Sequence, residues 1–165
     1  MTQLPHRSRS DSDEDLGHAQ KMGRIHLDLV RPLAVMLANG GYQYFQSGIE
    51  VSTRVSFVSL LKKKSEALGV TRELVQMLEV ESDLPLKSIR TDMGGEYDSH
   101  EWTMFAKSKG FKHELTGPYS PEQNGICERL NRTLLEKMRC LLLWSGLPKS
   151  YWDIVVLHAN WLRNR

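Results

Sequence analysis

The order of strand-like and helix-like hydrophobic patterns along this chain constrains its fold more than any other feature. The segment "RIHLDLV" (24–30) alternates apolar residues with others, which is the period-two pattern of a strand. After a Gly-containing turn, residues 42–49 and 53–61 predict two antiparallel strands. The "QSG" at 46–48 predicts that the first of these two is a poor strand, because strands disfavour such residues.

Helical periodicity begins near residue 64 and then alternates with short strands. Residues 64–80 predict a helix in which Leu68, Val75 and Leu78 share one face. The remaining segments predict, in order, a strand at 84–92, a helix at 100–110, a strand at 111–115, a loop at 116–125, a long helix, and a last helix that begins near Pro148. This order indicates an α/β domain whose mixed five-stranded sheet is flanked by helices.

The size and composition of the chain fit one globular domain. It has 165 residues, of which 40% are hydrophobic and 25% are charged. Residues 1–22 are rich in Ser, Arg and Asp and lack apolar periodicity, which predicts a flexible polar leader before a domain at 23–165. No apolar run approaches the roughly 20 residues of a membrane span, so no signal peptide or membrane segment is expected. Cys127 and Cys140 lie too far apart along one predicted helix to form a disulfide.

Positive charge is concentrated near the C-terminus. Residues 11–15, "DSDED", are acidic, whereas residues 129–165 hold seven Lys and Arg against two Asp and Glu. A polyanion would be drawn to the C-terminal part of the chain. A solvated helix face explains such an excess equally well.

Three acidic residues stand out by their positions. Asp28 alternates with the apolar residues of the first strand, Asp92 ends the fourth, and Glu128 lies near the start of the long helix. If the first and fourth strands are neighbours, Asp28 and Asp92 lie side by side, where the helix could bring Glu128. Three converging carboxylates repel one another unless cations neutralise them. Oxygen ligands favour magnesium or manganese over zinc.

The long helix has one apolar face and one charged face. Glu128 falls on the charged face, beside cationic side chains that could contact phosphates. A ladder of surface ion pairs would give the same pattern, and periodicity does not separate the two. The apolar face contains Cys127, Leu130, Leu134, Met138 and Leu141, and the charged face contains Arg132, Glu136 and Arg139.

Three segments together resemble a known family. They are "HLDL" with the following Pro32, "IRTDMGGEY" (89–97) and "GPYSPEQNGICERLNRTLLEKMR" (117–139). Their combination resembles the integrase catalytic core of copia-type LTR retrotransposons, in the DDE transposase and retroviral integrase superfamily. The likeness covers most of residues 24–165 and implies an RNase H-like fold, in agreement with the predicted element order. It also implies that residues 23–165 are a catalytic core truncated at its C-terminal end.

The resemblance implies an activity and its catalytic residues. In this family two Asp and one Glu, with 35 residues between the last two, bind the catalytic metals. Asp28, Asp92 and Glu128 match them, and 35 residues separate Asp92 from Glu128. The implied cofactors are two Mg²⁺ or Mn²⁺ ions. The implied reactions are DNA 3′-end processing and strand transfer, which together integrate an element into target DNA.

The resemblance also implies where DNA is contacted. Gln123 and Asn124, in the predicted loop, match a family segment that contacts DNA near the site. Arg129, Asn131 and Arg132 are placed to hold the DNA backbone. Element ends and target DNA are the expected partners, a homo-oligomer is the expected assembly, and the nucleus is the expected place of action.

Some positions depart from the family pattern and leave alternatives open. Met93 stands where asparagine is usual, Arg31 replaces a glycine, and residues 47–54 differ from the expected strand and acidic segment. An inactive or repurposed integrase remnant that binds DNA or a protein partner is therefore the second reading. A nuclease acting on RNA/DNA hybrids shares the metal chemistry, but it does not explain "SPEQNGICERLNR".

Overall fold

A computed structural model describes residues 23–31, 40–117 and 121–165, with only the backbone described at 121–124. The predicted leader at 1–22 lies outside the described residues, and so does Pro32. Within the described residues the elements follow one another as the hydrophobic periods predict: three strands, a helix, a strand, a helix, a strand and two helices.

Five strands form one mixed sheet in the order β3-β2-β1-β4-β5. The first three pair antiparallel, while β1 with β4 and β4 with β5 pair parallel. This arrangement confirms the predicted mixed five-stranded sheet. The strands are β1 (Arg24–Val30), β2 (Tyr44–Glu50), β3 (Ser56–Leu61), β4 (Ser88–Thr91) and β5 (Lys112–Leu115).

Helices cover both faces of the sheet, which completes the RNase H-like arrangement. Short 3₁₀ turns at Lys64–Glu66 and Lys149–Tyr151 lead into the first and last of them. Throughout the described residues, each helix is too short or too polar to span a bilayer. The helices are α1 (Ala67–Ser82), α2 (His100–Lys109), α3 (Pro121–Ser145) and α4 (Trp152–Arg163).

Two apolar clusters hold the three layers together. On one face Ile25 and Leu27 of β1 pack in the same cluster as residues of α1 and α2, such as Trp102. On the other face Phe45 of β2 packs in a cluster with residues of α3 and α4, such as Trp152. Because strand side chains alternate between faces, β1 directs Asp28 toward α3 and Leu27 toward α1.

The prediction that β2 is a poor strand is wrong. Tyr44–Glu50 is a continuous strand that pairs with β1 and β3 over its length. The Gln46 side chain donates a 2.8 Å hydrogen bond to Oγ1 of Thr71 in α1. A Cβ at Gly48 would lie 2.9 Å from Cδ2 of Leu27. Glycine is therefore favoured here by the close approach of β1, and the Thr71 hydroxyl accepts a hydrogen bond from the buried Gln46 amide.

Several element boundaries also differ from those expected. β3 begins at Ser56 and not at residue 53, because the Glu50 carboxylate accepts hydrogen bonds of 2.6 and 2.7 Å from the Thr53 backbone and hydroxyl and closes a turn there. β4 is shorter than predicted. α3 starts at Pro121, inside the segment expected to be a loop, and proline suits the first turn of a helix because it lacks an N–H.

Candidate active site

Asp28 and Asp92 lie on neighbouring parallel strands. β1 and β4 pair with Ile25 opposite Ile89 and His26 opposite Arg90. The same offset, carried two residues further, places Asp28 opposite Asp92, directly after the end of β4. The carboxyl ends of adjacent parallel strands thus bring the two side chains within electrostatic range, since the charge of Asp92 raises the pKa of Asp28.

Asp28 is held by two hydrogen bonds. Its Oδ1 accepts from the backbone N–H of Leu29 at 2.9 Å, and its Oδ2 accepts from Nδ2 of Asn131 at 2.7 Å. Burial raises the pKa of Asp28 to about 6, with further upward contributions from the charges of Asp92 and Glu128 and opposition from the two hydrogen bonds. The carboxyl group is therefore fixed in place and costly to ionise.

Asp92 sits in a tight turn with Gly94. Its Oδ1 accepts a 3.1 Å hydrogen bond from the backbone N–H of Gly94. A Cβ on Gly94 would lie 3.0 Å from that same oxygen and 2.9 Å from Cδ of Glu96. The turn thus brings Glu96 close to Asp92, and Lys64 balances the added charge with its Nζ 3.4 Å from Oε1 of Glu96.

Glu128 reaches the site from α3. Its neighbour Cys127 is completely buried, whereas Glu128 itself is exposed. Burial raises the pKa of the Cys127 thiol, and the charges of Asp28, Asp92 and Glu128 raise it further. All three carboxylates therefore act on one buried group. The apolar stripe of α3 is also confirmed, except that Leu142 is buried and Leu141 only partly so.

Two features of the site were not found from the sequence. The Tyr97 hydroxyl is fully buried without a hydrogen-bond partner among the described residues, and burial raises its pKa, as do the charges of Asp28 and Asp92. Asn131 holds Asp28, although the sequence suggested only a DNA contact for it. Its position three residues after Glu128 was the available signal, because residues three apart share a helix face.

The three carboxylates are not gathered at ligand distance. Across 23–31, 40–117 and the side chains from 125 onward, no three His, Cys, Asp or Glu residues form a group that could hold a metal ion. The structure places Asp28 and Asp92 on adjacent strand ends, with Glu128 within electrostatic range on the exposed side of α3.

The chemistry of the donors fits a divalent cation. Carboxylate oxygens are the ligands that Mg²⁺ and Mn²⁺ prefer. The Oδ1 atom of Asn131, beside Asp28, is buried without a hydrogen-bond partner among the described residues, as is the Tyr97 hydroxyl. Unpaired buried polar atoms are costly, and a hydrated cation would supply partners for them.

The residues predicted to contact DNA fall into three groups. Arg129 and Arg132 are exposed on α3 beside Glu128. Asn131 is only 8% exposed and its amide faces Asp28, so little of it is available to a DNA backbone. The side chains of Gln123 and Asn124 lie outside the described residues, and their backbone is part of α3 and not of a loop.

Comparison with known proteins identifies the family. Residues 18–121 match the integrase core domain, a span that contains Asp28 and Asp92. This chain belongs to the integrase core domain family. The match agrees with the sequence motifs and does not favour a separate class of hybrid-cleaving nuclease.

A plant transposon protein is similar over most of this integrase core. The retrovirus-related Pol polyprotein from transposon TNT 1-94 of Nicotiana tabacum is 38% identical over 141 residues, which are 86% of this chain. The aligned part makes up 10% of the length of that polyprotein. The likeness therefore concerns one segment of a much longer protein.

Solved integrases share the fold of this core. The magnesium complex of the HTLV-2 integrase catalytic core domain, in a dimeric form, superposes with a TM-score of 0.62 and 20% identity over 87% of this chain and 86% of that chain. An intasome of simian T-cell lymphotropic virus bound to PP2A regulatory subunit B56 gamma gives a TM-score of 0.66 and 20% identity over 88% of this chain and 50% of that chain. At this identity the likeness shows the fold alone.

Proposed function

We propose that this integrase core cuts and joins DNA with divalent metal ions held by Asp28, Asp92 and Glu128. The observation that carries the proposal is the placement of Asp28 opposite Asp92, with Glu128 near enough for its charge to raise the Asp28 pKa. Ionising such a site without a cation is energetically unfavourable. Residues with shifted pKa values of this kind are concentrated at functional sites. The magnesium complex of the HTLV-2 core supports the choice of cation.

Each protein group has a definite task in this proposal. Asn131 and the Leu29 N–H fix both oxygens of Asp28, and the Gly94 N–H fixes Asp92. Asp28, Asp92 and Glu128 would hold two Mg²⁺ or Mn²⁺ ions, whose chemistry when bound would be activation of the attacking water or DNA 3′-hydroxyl and stabilisation of charge on the leaving oxygen. Exposed Arg129 and Arg132 would hold backbone phosphates beside Glu128, with Gln123 and Asn124 contacting DNA close by.

The proposed substrates are the ends of an element and a target DNA. We propose that end processing precedes strand transfer, that the core acts as a multimer, and that it acts in the nucleus. The dimeric form of the HTLV-2 core and the intasome of the simian virus support multimer formation.

The joining of a short DNA duplex in Mn²⁺ tests this proposal. Asp92→Asn should abolish joining and leave the circular dichroism spectrum unchanged, because the asparagine is nearly isosteric and loses the charge. Asp98→Asn, at an exposed position of the same loop, is the matched control and should join DNA normally. Undiminished joining by Asp92→Asn would refute the role of the carboxylates.

A non-catalytic integrase remnant is the second candidate function. The observation in its favour is that, among the described residues, no three potential metal ligands lie close enough together to hold an ion. Met93, where the family pattern has asparagine, is 53% exposed and offers no polar atom to the site. Calorimetric titration with Mn²⁺ separates the two candidates: an enzyme should bind Mn²⁺ in a manner that Asp92→Asn weakens, whereas a remnant should show no carboxylate-dependent binding.

A further inference from the structure

A cavity of about 140 Å³ lies between α3, the β2–β3 turn and the end of α4. Three arginines line it, one from each of these elements: Arg129, Arg54 and Arg163. The Thr133 hydroxyl and the apolar side chains of Ile49 and Ile126 also contribute to the wall. The cavity is distinct from the carboxylate site, and no carboxylate lines it.

Hydrogen bonds hold the Arg163 guanidinium in place and leave some of its N–H donors unused. Its Nη1 donates hydrogen bonds to the carbonyl of Arg54 at 2.8 Å, to Oγ of Ser56 at 3.0 Å and to Oδ1 of Asn164 at 3.2 Å. Its Nε and Nη2 atoms make no hydrogen bond to another described residue. These free donors belong to a guanidinium whose position is fixed.

The backbone that carries Arg54 is also constrained. Arg54 adopts a φ of 63°, in the left-handed region that non-glycine residues rarely occupy. Its N–H donates to the Glu50 carbonyl at 2.9 Å, and its carbonyl accepts from Arg163. Strained backbone that the surrounding structure holds in place is concentrated at functional sites.

The three positive charges have no acidic partner. Within the described part of the chain, no carboxylate lies within 4.0 Å of the guanidinium of Arg54, Arg129 or Arg163. Burial lowers the pKa of Arg163, and the charge of Arg54 lowers it further. Arg54 and Arg129 are exposed and Arg163 is half-buried, so an anion that binds among them would offset the repulsion between their charges.

We propose that this arginine cavity is a phosphate-binding site. Guanidinium groups bind phosphate oxygens through paired N–H donors, and three of them can surround one tetrahedral anion. The Thr133 hydroxyl donates to the Arg129 carbonyl at 2.9 Å and therefore supplies no donor to the anion. The phosphate can come from a DNA backbone or from free phosphate. A DNA backbone as the source rests on the proposed function of the core, because Arg129 lies next to Glu128. The binding of phosphate in the cavity does not depend on that function.

Thermal unfolding in phosphate tests the chemistry. With EDTA present and ionic strength matched by chloride, added phosphate should raise the Tm of the wild-type chain in a concentration-dependent way. Arg54→Asn and Arg129→Gln should each reduce that rise. Asparagine is chosen at residue 54 because it tolerates the left-handed conformation. Arg72→Gln, at an exposed arginine of α1, is the matched control and should keep the full rise.

Binding of a fluorescent DNA duplex, measured by anisotropy in EDTA across a salt series, identifies the source. If a DNA phosphate occupies the cavity, Arg54→Asn and Arg129→Gln should weaken binding several-fold. They should also reduce the slope of log K against log salt by about 0.9 for each lost contact. Loss of the phosphate effect with unchanged DNA binding would assign the site to free phosphate. Neither assay contains a divalent metal, so both outcomes are independent of the metal chemistry in the proposed function. The proposal is overturned if both cavity variants match Arg72→Gln in the phosphate and DNA measurements alike.

Discussion

The Asn131 amide donates a 2.7 Å hydrogen bond to Oδ2 of Asp28, which joins α3 to the central strand β1. Asn131 is 8% exposed, so water competes weakly for this bond. The bond also lowers the pKa of Asp28 against the upward effect of burial. One contact therefore contributes both to helix docking and to the ionisation of the carboxyl group.

Replacement of Asn131 by alanine should affect both properties. We expect Asn131→Ala to reduce the free energy of unfolding at pH 7.5 by about 1.5 to 3 kcal/mol, the range for hydrogen bonds to charged groups. It should also raise the Asp28 pKa above its value of about 6. Urea unfolding and NMR titration of the Asp28 carboxyl carbon measure the two effects. In an Asp28→Asn background the same substitution should cost clearly less, and an equal cost in both backgrounds would contradict the contact.

Asp28 should make the metal-free protein less stable as pH rises. Its pKa is raised from 3.8 to about 6, so its contribution is fully favourable below pH 4 and is lost as pH rises through 6. Two pKa units correspond to about 3 kcal/mol as an upper limit. In EDTA, Asp28→Asn should therefore be more stable than wild type at pH 7.5, and the difference should vanish near pH 4. Urea unfolding of both proteins across this range measures it, and a difference independent of pH would count against the raised pKa.

His26 should have the opposite effect in the same pH range. This strand residue is 3% exposed, and burial, followed by the charges of Arg90 and Arg24, lowers its pKa from 6.5 to about 4. The folded protein therefore loses stability as pH falls from 6.5 toward 4, because the unfolded chain binds the proton more readily.

The His26 effect is measured by comparing variants. His26→Gln should remove this acid sensitivity, so its free energy of unfolding relative to wild type should rise by about 3 kcal/mol at most between pH 7 and pH 4. His158→Gln, at an exposed histidine of α4, is the matched control variant. The Asp28 and His26 effects oppose each other, so the pH dependence of wild-type stability alone would hide both. If the free energy of unfolding of His26→Gln ran parallel to that of wild type across this pH range, the lowered pKa of His26 would be refuted.

The order of elements could be predicted because it depends on local periodicity. Strands and helices alternate where the hydrophobic period changes, and the position of Asp28 next to Asp92 follows once β1 and β4 are paired. The regularity of β2 could not be predicted, because it depends on Thr71, which accepts a hydrogen bond from Gln46 across 25 residues of chain. Local preference was overridden by a distant partner.

The role of individual site residues was predictable only in part. Sequence spacing singles out the three carboxylates. It does not show that the Asn131 amide is turned toward Asp28 or that Tyr97 is buried beside the carboxylates. The arginine cavity was beyond reach as well, since Arg54, Arg129 and Arg163 come from three separate elements. Contacts of this kind exist only after the sheet and helices have packed.

Two glycines should respond in opposite ways to alanine. A Cβ at Gly48 in β2 would lie 2.9 Å from Cδ2 of Leu27, a side chain that is 1% exposed and cannot easily move. Gly48→Ala should therefore reduce the free energy of unfolding by about 1 to 3 kcal/mol, as overpacking does. Gly69 lies in α1 with no atom within 4 Å of its added Cβ, so Gly69→Ala should increase it by roughly 0.5 kcal/mol through helix propensity. Urea unfolding of the two variants side by side measures both changes, and destabilisation of equal size in both would show that the close approach of β1 to β2 is not the cause.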